Sequence, residues 1–280
     1  MVSGDRLDRV ERGKRKRPDT GYAGRATGRR GVDETFREQC MAWAKLIVHR
    51  RRVEKAEKHI ERWLTLCGKP YVAFSGGKDS TVVLDLVRRQ KPDTVALTSW
   101  KDWTLPETER IMDSTHDLIK IAAPTYHSDE YSAWENQKPG NDVIYYERLS
   151  SSLSCTTLYA SQNGYDGAAL GLRKEEASYR AWHLKRGAVF YCETHQVYEC
   201  NPIADWTVFD VWAYILSRDI PYNRAYDRLS ELGIDPKYQR IGPLAVERVL
   251  QYGQMTILKR GWPDLFNRFV AEHPGLRAYV

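Results

Sequence analysis

The residues with the most chemistry in them stand together at Ser75-Gly76-Gly77-Lys78-Asp79-Ser80-Thr81. A short apolar run, Tyr71-Val72-Ala73-Phe74, leads into them and an amphipathic run, Thr81 to Arg88, leads out. That order reads as a buried strand, a tight turn and the start of a helix. Two adjacent glycines let the main chain bend and approach a ligand closely. A new helix presents amide groups and the positive end of its dipole, which suits phosphate. Lys78 adds a positive charge, and Ser75, Ser80 and Thr81 add hydroxyls. Asp79 beside phosphate calls for a bridging divalent cation, and Mg²⁺ is the expected one. The spacing is not that of the Walker A loop, which has four residues between its glycines.

Cysteine and histidine supply the other candidate chemistry. Cys155 is expected on a helix just before a strand, near the ligand side of the fold. It could act as a nucleophile or persulfide carrier, or be an ordinary buried cysteine. Cys192 and Cys200 are expected to face each other across a hairpin with His195 at its tip. With Cys155 they could hold a metal or cluster, although their spacing fits no zinc template. Cys40 and Cys67 read as structural.

These residues must be positioned by something. Periodic apolar residues Phe36, Cys40, Trp43, Ala44, Ile47 and Val48 predict one long helix from about Glu34 to Leu66. Its basic residues His49-Arg50-Arg51-Arg52, Lys55, Lys58 and Arg62 are expected on the exposed side. Thr94 to Thr98 and Asp166 to Leu170 read as further strands, and Pro106 opens a helix. Residues 124 to 150 read as a long loop, a lid or substrate wall. Ala188–Cys192 and Val197–Cys200 predict a hairpin, and Thr207 caps a helix from Val208 to Ser217. Two helices are expected between Ile241 and Tyr279, the second begun by Pro263, with aromatics available for an interface. Strands alternating with helices imply an α/β fold with a doubly wound parallel sheet, a long N-terminal helix and a C-terminal helical extension. The expected units are a disordered basic tail over 1–32, a nucleotide-binding domain over 33–235 and the extension over 236–280.

The chain has 280 residues, 42% hydrophobic and 29% charged, in keeping with a soluble globular protein. It has no apolar run of membrane-spanning length, so no membrane partner is expected. The polar N-terminus is not a secretory signal. Five scattered cysteines make no disulfide framework and point to a reducing cytoplasm. A net charge of +6 favours anionic partners, nucleotide or nucleic acid. The densest basic patch, Arg12-Gly13-Lys14-Arg15-Lys16-Arg17, could grip a nucleic acid backbone or be a solvated tail.

Ser75 to Ser80 resembles the Ser-Gly-Gly-x-Asp-Ser loop of the PP-loop ATP pyrophosphatases. Four segments in order, Ser75–Ser80, Leu105–Thr108, Gly171–Arg180 and Pro202–Trp206, are similar to those of the phosphoadenosine phosphosulfate (PAPS) reductase family, within the adenine nucleotide α-hydrolase fold. Ile220-Pro221-Tyr222-Asn223 matches the segment that follows, and the likeness covers roughly residues 68 to 230. The resemblance implies that Ser75, Gly76, Gly77, Lys78, Asp79, Ser80 and Thr81 hold phosphates, with Gly171 beside them. Arg173 and Arg180 would clamp an anionic group. Lys78, Asp79, Arg173 and Cys155 are the catalytic candidates, and Asp79 the metal ligand.

The departures bear on the reaction. PAPS reductases carry a C-terminal Glu-Cys-Gly-Leu-His thiol, whereas no cysteine follows Cys200 here. The Cys-Cys and Cys-x-x-Cys of the iron–sulfur branch are missing too, so no iron–sulfur cluster is expected. Trp100-Lys101-Asp102-Trp103-Thr104-Leu105 replaces the family's Asp-Thr-Gly, so the adenine contact made there is not carried over. The loop itself is intact, which favours ATP over PAPS as substrate, with cleavage to AMP and pyrophosphate activating an acceptor. That acceptor could be DNA or tRNA, for sulfur transfer, with a sulfur donor or complex partner. The alternatives are a PAPS or adenylyl-sulfate reductase using another thiol, and a non-catalytic nucleotide-binding subunit. The oligomeric state stays open.

Overall fold

The computed structural model describes residues 33–100, 104–122, 155–241 and 254–272, the main chain of 143–145, and three single positions near the C-terminus. The basic tail, most of the 124–150 segment, Lys101–Trp103 and the approach to the C-terminal helices lie outside the described residues.

Seven strands form one sheet: β1 (Pro70–Ala73), β2 (Val95–Ser99), β3 (Leu118–Ala122), β4 (Val143–Tyr145), β5 (Gly167–Ala169), β6 (Val189–Cys192) and β7 (Val197–Cys200). Their order is β4-β3-β2-β1-β5-β7-β6. All neighbours are parallel except β6 and β7, which pair antiparallel as a hairpin. The doubly wound α/β expectation holds. From β1 the chain moves outward to β2, β3 and β4, then returns to place β5 on β1's other side. A crevice must therefore open at the carboxyl ends of β1 and β5, where ligands bind in such sheets.

Alternate residues of the central strands face two different cores. Val72, Ala169 and Cys200 face a large core shared with helices α1 (Glu34–Ala44), α2 (Ile47–Leu64), α3 (Lys78–Arg88) and α7 (Val208–Ser217). Tyr71, Leu97, Ile121, Ala168 and Val197 face a smaller one with α5 (Cys155–Gln162). Helix α4 (Pro106–Asp113) begins with Pro at its first turn, and α6 (Ser178–His183) follows a short 3₁₀ turn at Lys174–Glu176. After α7 come α8 (Ala225–Glu231), α9 (Gln254–Gly261) and α10 (Pro263–Glu272).

Three expectations are corrected. The N-terminal helix is two helices, broken at Lys45 and Leu46, where the Lys45 and Leu46 amides turn back to Ala42 and Trp43. The break lets each segment follow the core separately. His49 is not on an exposed basic face. It is 2% exposed, its Nδ1 lies 3.2 Å from Asp210 Oδ1, and Arg52 pairs with the same carboxylate. The C-terminal aromatics Trp262, Phe266 and Phe269 are buried with Leu265 in the large core rather than held out for an interface, because α9 and α10 pack into that core. Within the expected 124–150 loop, Val143–Tyr145 adds strand β4.

Candidate functional site

The turn after β1 is shaped by two glycines' lack of a side chain. Gly76 has φ +70°, and a Cβ there would lie 3.1 Å from Thr108 Cγ2 and Ile111 Cγ2 of α4. Gly171, after β5, sits so close to the first turn of α3 that a Cβ would come 2.9 Å from the Asp79 carbonyl carbon and the Ser80 nitrogen. The close approach joins the loops of β1 and β5 and brings Gly171 against the first turn of α3.

Lys78 and Asp79 open α3, with Gly77 as its N-cap. Amides of a first helical turn have no carbonyl four residues back within the helix, and they concentrate positive potential there. The Lys78 amide is already used: it donates to the Tyr226 hydroxyl at 3.1 Å. The Ser80 and Thr81 hydroxyls donate inward to the Gly77 carbonyl, at 2.9 and 3.0 Å, and so tie the turn together. Ser75 is exposed, with its Oγ 3.2 Å from Ser80 Oγ.

The charged centre is a chain of ion pairs. Lys78 Nζ donates to Asp79 Oδ2 at 2.9 Å, and Arg173 Nε donates to Asp79 Oδ1 at 2.5 Å. Arg173 Nη1 donates to Glu175 Oε2 at 2.6 Å. Arg173 and Lys78 are only 3% and 5% exposed. Burial would raise the Asp79 carboxyl, but the Lys78 and Arg173 charges overcome it and hold it below the usual carboxylate range. Burial works against both cations as well, yet their acidic and phenolic neighbours keep Lys78 and Arg173 firmly charged. Both Asp79 oxygens thus carry a cationic partner. A Mg²⁺ ion on Asp79 would have to share its carboxylate with Lys78 and Arg173.

Arg180 stands one step out. It pairs with Glu176, whose Oε1 is 3.9 Å from Arg173 Nη2. Cys155 is not brought to the loop. It is buried at the carboxyl ends of β2 and β3, its Sγ 3.3 Å from Ser99 Oγ and 3.4 Å from the Ile121 carbonyl. The hairpin register opposes Cys192 to Val197 and Cys200 to Val189, so Cys192 and Cys200 do not face each other. Cys200 turns to the other face, where its thiol points to the His59 carbonyl and burial pushes its pKa up. Strands β1, β5 and β7 separate Cys155 from the hairpin's edge strand, so no three-cysteine cluster forms.

Two positioning residues escaped the sequence reading. Asn223 Nδ2 donates to the Gly76 carbonyl at 3.2 Å and to Thr108 Oγ1 at 2.8 Å, while its Oδ1 accepts from the Ala225 amide. Tyr226 lies under the loop, with Lys78 Nζ 5.4 Å from its ring centre. The family-like segment ending in Asn223 was visible in the sequence, but nothing in it says that it folds back onto a turn 147 residues earlier.

The chain is similar to several known proteins. The chain is 26% identical over 177 residues to the phosphoadenosine 5′-phosphosulfate reductase of Xanthomonas axonopodis pv. citri (strain 306), covering 59% of this chain and 70% of that one. It is 24% identical over 193 residues to the same-named protein of Xylella fastidiosa (strain 9a5c), covering 66% and 75%. Among solved structures, a phosphoadenylyl-sulfate reductase from Candida auris in a phosphate complex aligns with TM-score 0.43 and 17% identity, over 75% of this chain and 95% of that one. Residues 69–246 match the phosphoadenosine phosphosulfate reductase domain, a span holding β1, the Lys78–Asp79 turn, Arg173 and Asn223, and the chain belongs to that family.

Proposed function

We propose that this protein is an enzyme that seats an adenine nucleotide with its phosphates at the first turn of α3, and that it cleaves ATP between the α and β phosphates. The observation that carries the reading is the Lys78–Asp79–Arg173 chain, two buried cations on one carboxylate at the sheet's switch point. Such fixed positive charges stabilise a departing pyrophosphate without reorganising at the moment of reaction. Asp79 holds them in place. An acceptor oxygen attacks the α-phosphorus, pyrophosphate leaves, and the acceptor carries AMP. Net positive charge favours a DNA or tRNA acceptor, and replacement of the activated oxygen by sulfur would follow from a separate donor.

A second reading is favoured by the relatives, which are named as PAPS reductases. A thiolate would attack the sulfur of the sulfonucleotide, expel adenosine 3′,5′-bisphosphate and leave a thiosulfonate for a second thiol to resolve as sulfite. Cys155 is a thiol at the carboxyl edge of the sheet, and its burial among Ser99 and Ile121 does not present it to a ligand on α3.

The experiment measures pyrophosphate release from ATP, with and without Mg²⁺ and with DNA or tRNA added, in parallel with sulfite release from PAPS and a reduced dithiol. Asp79→Ala is compared throughout. Pyrophosphate release that depends on Asp79 supports the first reading, and stimulation by one nucleic acid names the acceptor. Sulfite without pyrophosphate sinks the first reading in favour of the second. Tight ATP binding without turnover of either substrate would make the chain a nucleotide-binding subunit.

A further inference from the structure

The edge hairpin gathers a second set of reactive side chains. Cys192 ends β6, His195 sits in the connecting turn, and Glu199 lies on β7. The turn closes tightly: Gln196 has φ +55°, and the His195 amide donates to the Cys192 carbonyl at 3.2 Å. Folding back in this way brings thiol, imidazole and carboxylate together. The candidate ligand atoms of Cys192, His195 and Glu199 all lie within 4.8 Å of one another. His195 Nδ1 is 3.4 Å from Glu199 Oε1, and His183 Nε2, from the end of α6, is 2.9 Å from Glu199 Oε2.

Burial makes the group unusual. Glu199, on β7, is 2% exposed, and Cys192, on the edge strand β6, is 4% exposed. A carboxylate removed from solvent needs a positive counterpart. A divalent cation among these groups would answer the buried carboxylate, and coordination deprotonates a thiol outright.

We propose that Cys192, His195 and Glu199 form a Zn²⁺ site, one ion per chain, with His183 as the positioning residue that holds the second oxygen of Glu199. One thiolate, one imidazole and one carboxylate make a mixed donor set suited to zinc. Mg²⁺ and Ca²⁺ prefer oxygen alone. A histidine hydrogen-bonded to a ligating carboxylate is the usual kind of outer support. Three protein donors leave a fourth position open, and the ion would pin the hairpin turn, β7 and the end of α6 to one another. The competing arrangement is metal-free, with His183 and His195 neutralising Glu199 by themselves.

The test is titration of the metal-stripped full chain with Co²⁺, followed by its displacement with Zn²⁺. The expected result is one equivalent bound, with a thiolate-to-cobalt charge-transfer band that zinc abolishes. Cys192→Ser should lose the band. His195→Asn, at a surface turn where folding is not at risk, should weaken binding. His183→Ala should weaken it about tenfold or more while keeping the band. Cys67→Ser should change neither band nor stoichiometry, and circular dichroism checks that each variant is folded. No band in the wild-type chain, a full band in Cys192→Ser, or unchanged affinity in His195→Asn would overturn the site.

Discussion

Asp79 shows how one carboxylate can organise two cations. Its two oxygens take Lys78, its chain neighbour, and Arg173, from a loop 94 residues away. The pairs are too buried to be treated as surface ion pairs. The planar fork of Arg173 also spans Asp79 and Glu175 at once, which a lysine ammonium on a flexible stem cannot reproduce. Arg173→Lys keeps the charge and loses the fork. Steady-state pyrophosphate release should show kcat/KM falling by roughly 10²-fold or more, the scale of losing a preorganised electrostatic contact. Activity within twofold of wild type would mean that Arg173 serves only as a counter-ion.

At the scale of elements, one buried carboxylate joins three helices. Thr207 and Asp210 form a capping box at the start of α7, with the Thr207 amide donating to Asp210 Oδ2 at 2.8 Å. The same carboxylate takes Trp43 Nε1 at 2.8 Å, His49 and Arg52, and so locks α1, α2 and α7 together. Burial of Asp210 would raise its pKa. Hydrogen bonds from His49, Trp43 and Thr207 outweigh that and hold it well below the usual range. A carboxyl lowered in the native state stabilises fully above its unfolded value of about 3.9. That contribution is lost as pH falls from there through the native value. Asp210→Asn should cost about 3 kcal/mol at neutral pH, the low end for breaking a buried pair, because Arg52 stays partly solvated. Denaturant melts at pH 7 and pH 3 should show the gap between variant and wild type narrowing in acid. A constant gap would place the stabilisation elsewhere.

Across the whole molecule, the helices beyond the family match are structural partners of the site. The match ends at residue 246, yet Met255, Leu258, Trp262 and Phe269 share the core of α3 and α7. Trp262 Nε1 donates to Glu107 Oε2 at 2.8 Å, which anchors α10's approach to the start of α4, beside the Gly76 turn. Phe269 is fully buried. Phe269→Ala should cost about 3–5 kcal/mol and lower Tm by roughly 2–4 °C for each kcal/mol. Thermal unfolding should remain one transition. A separate, earlier transition in the variant would show the C-terminal helices to be an independent unit. Among the described residues no helix is long and apolar enough to cross a membrane.

Local pattern determined much of this protein. The Ser-Gly-Gly-Lys-Asp-Ser turn, the hairpin, the Thr207-capped helix and the Pro263 helix start all follow from neighbouring residues, because turn chemistry, capping and period are short-range. The alternation of strands and helices was enough for the doubly wound sheet. Tertiary structure decided what depends on distant segments meeting. It paired Asp79 with Arg173 across the β1–β5 crevice, folded Asn223 and Tyr226 back under the loop, and turned the Ser80 and Thr81 hydroxyls inward. It also buried His49 against Asp210 and drew the C-terminal aromatics into the core. A periodic pattern says that one face of a helix is apolar. Which histidine or arginine on its flank finds a buried carboxylate is set by the packing angle between elements, and no local run of residues encodes that angle.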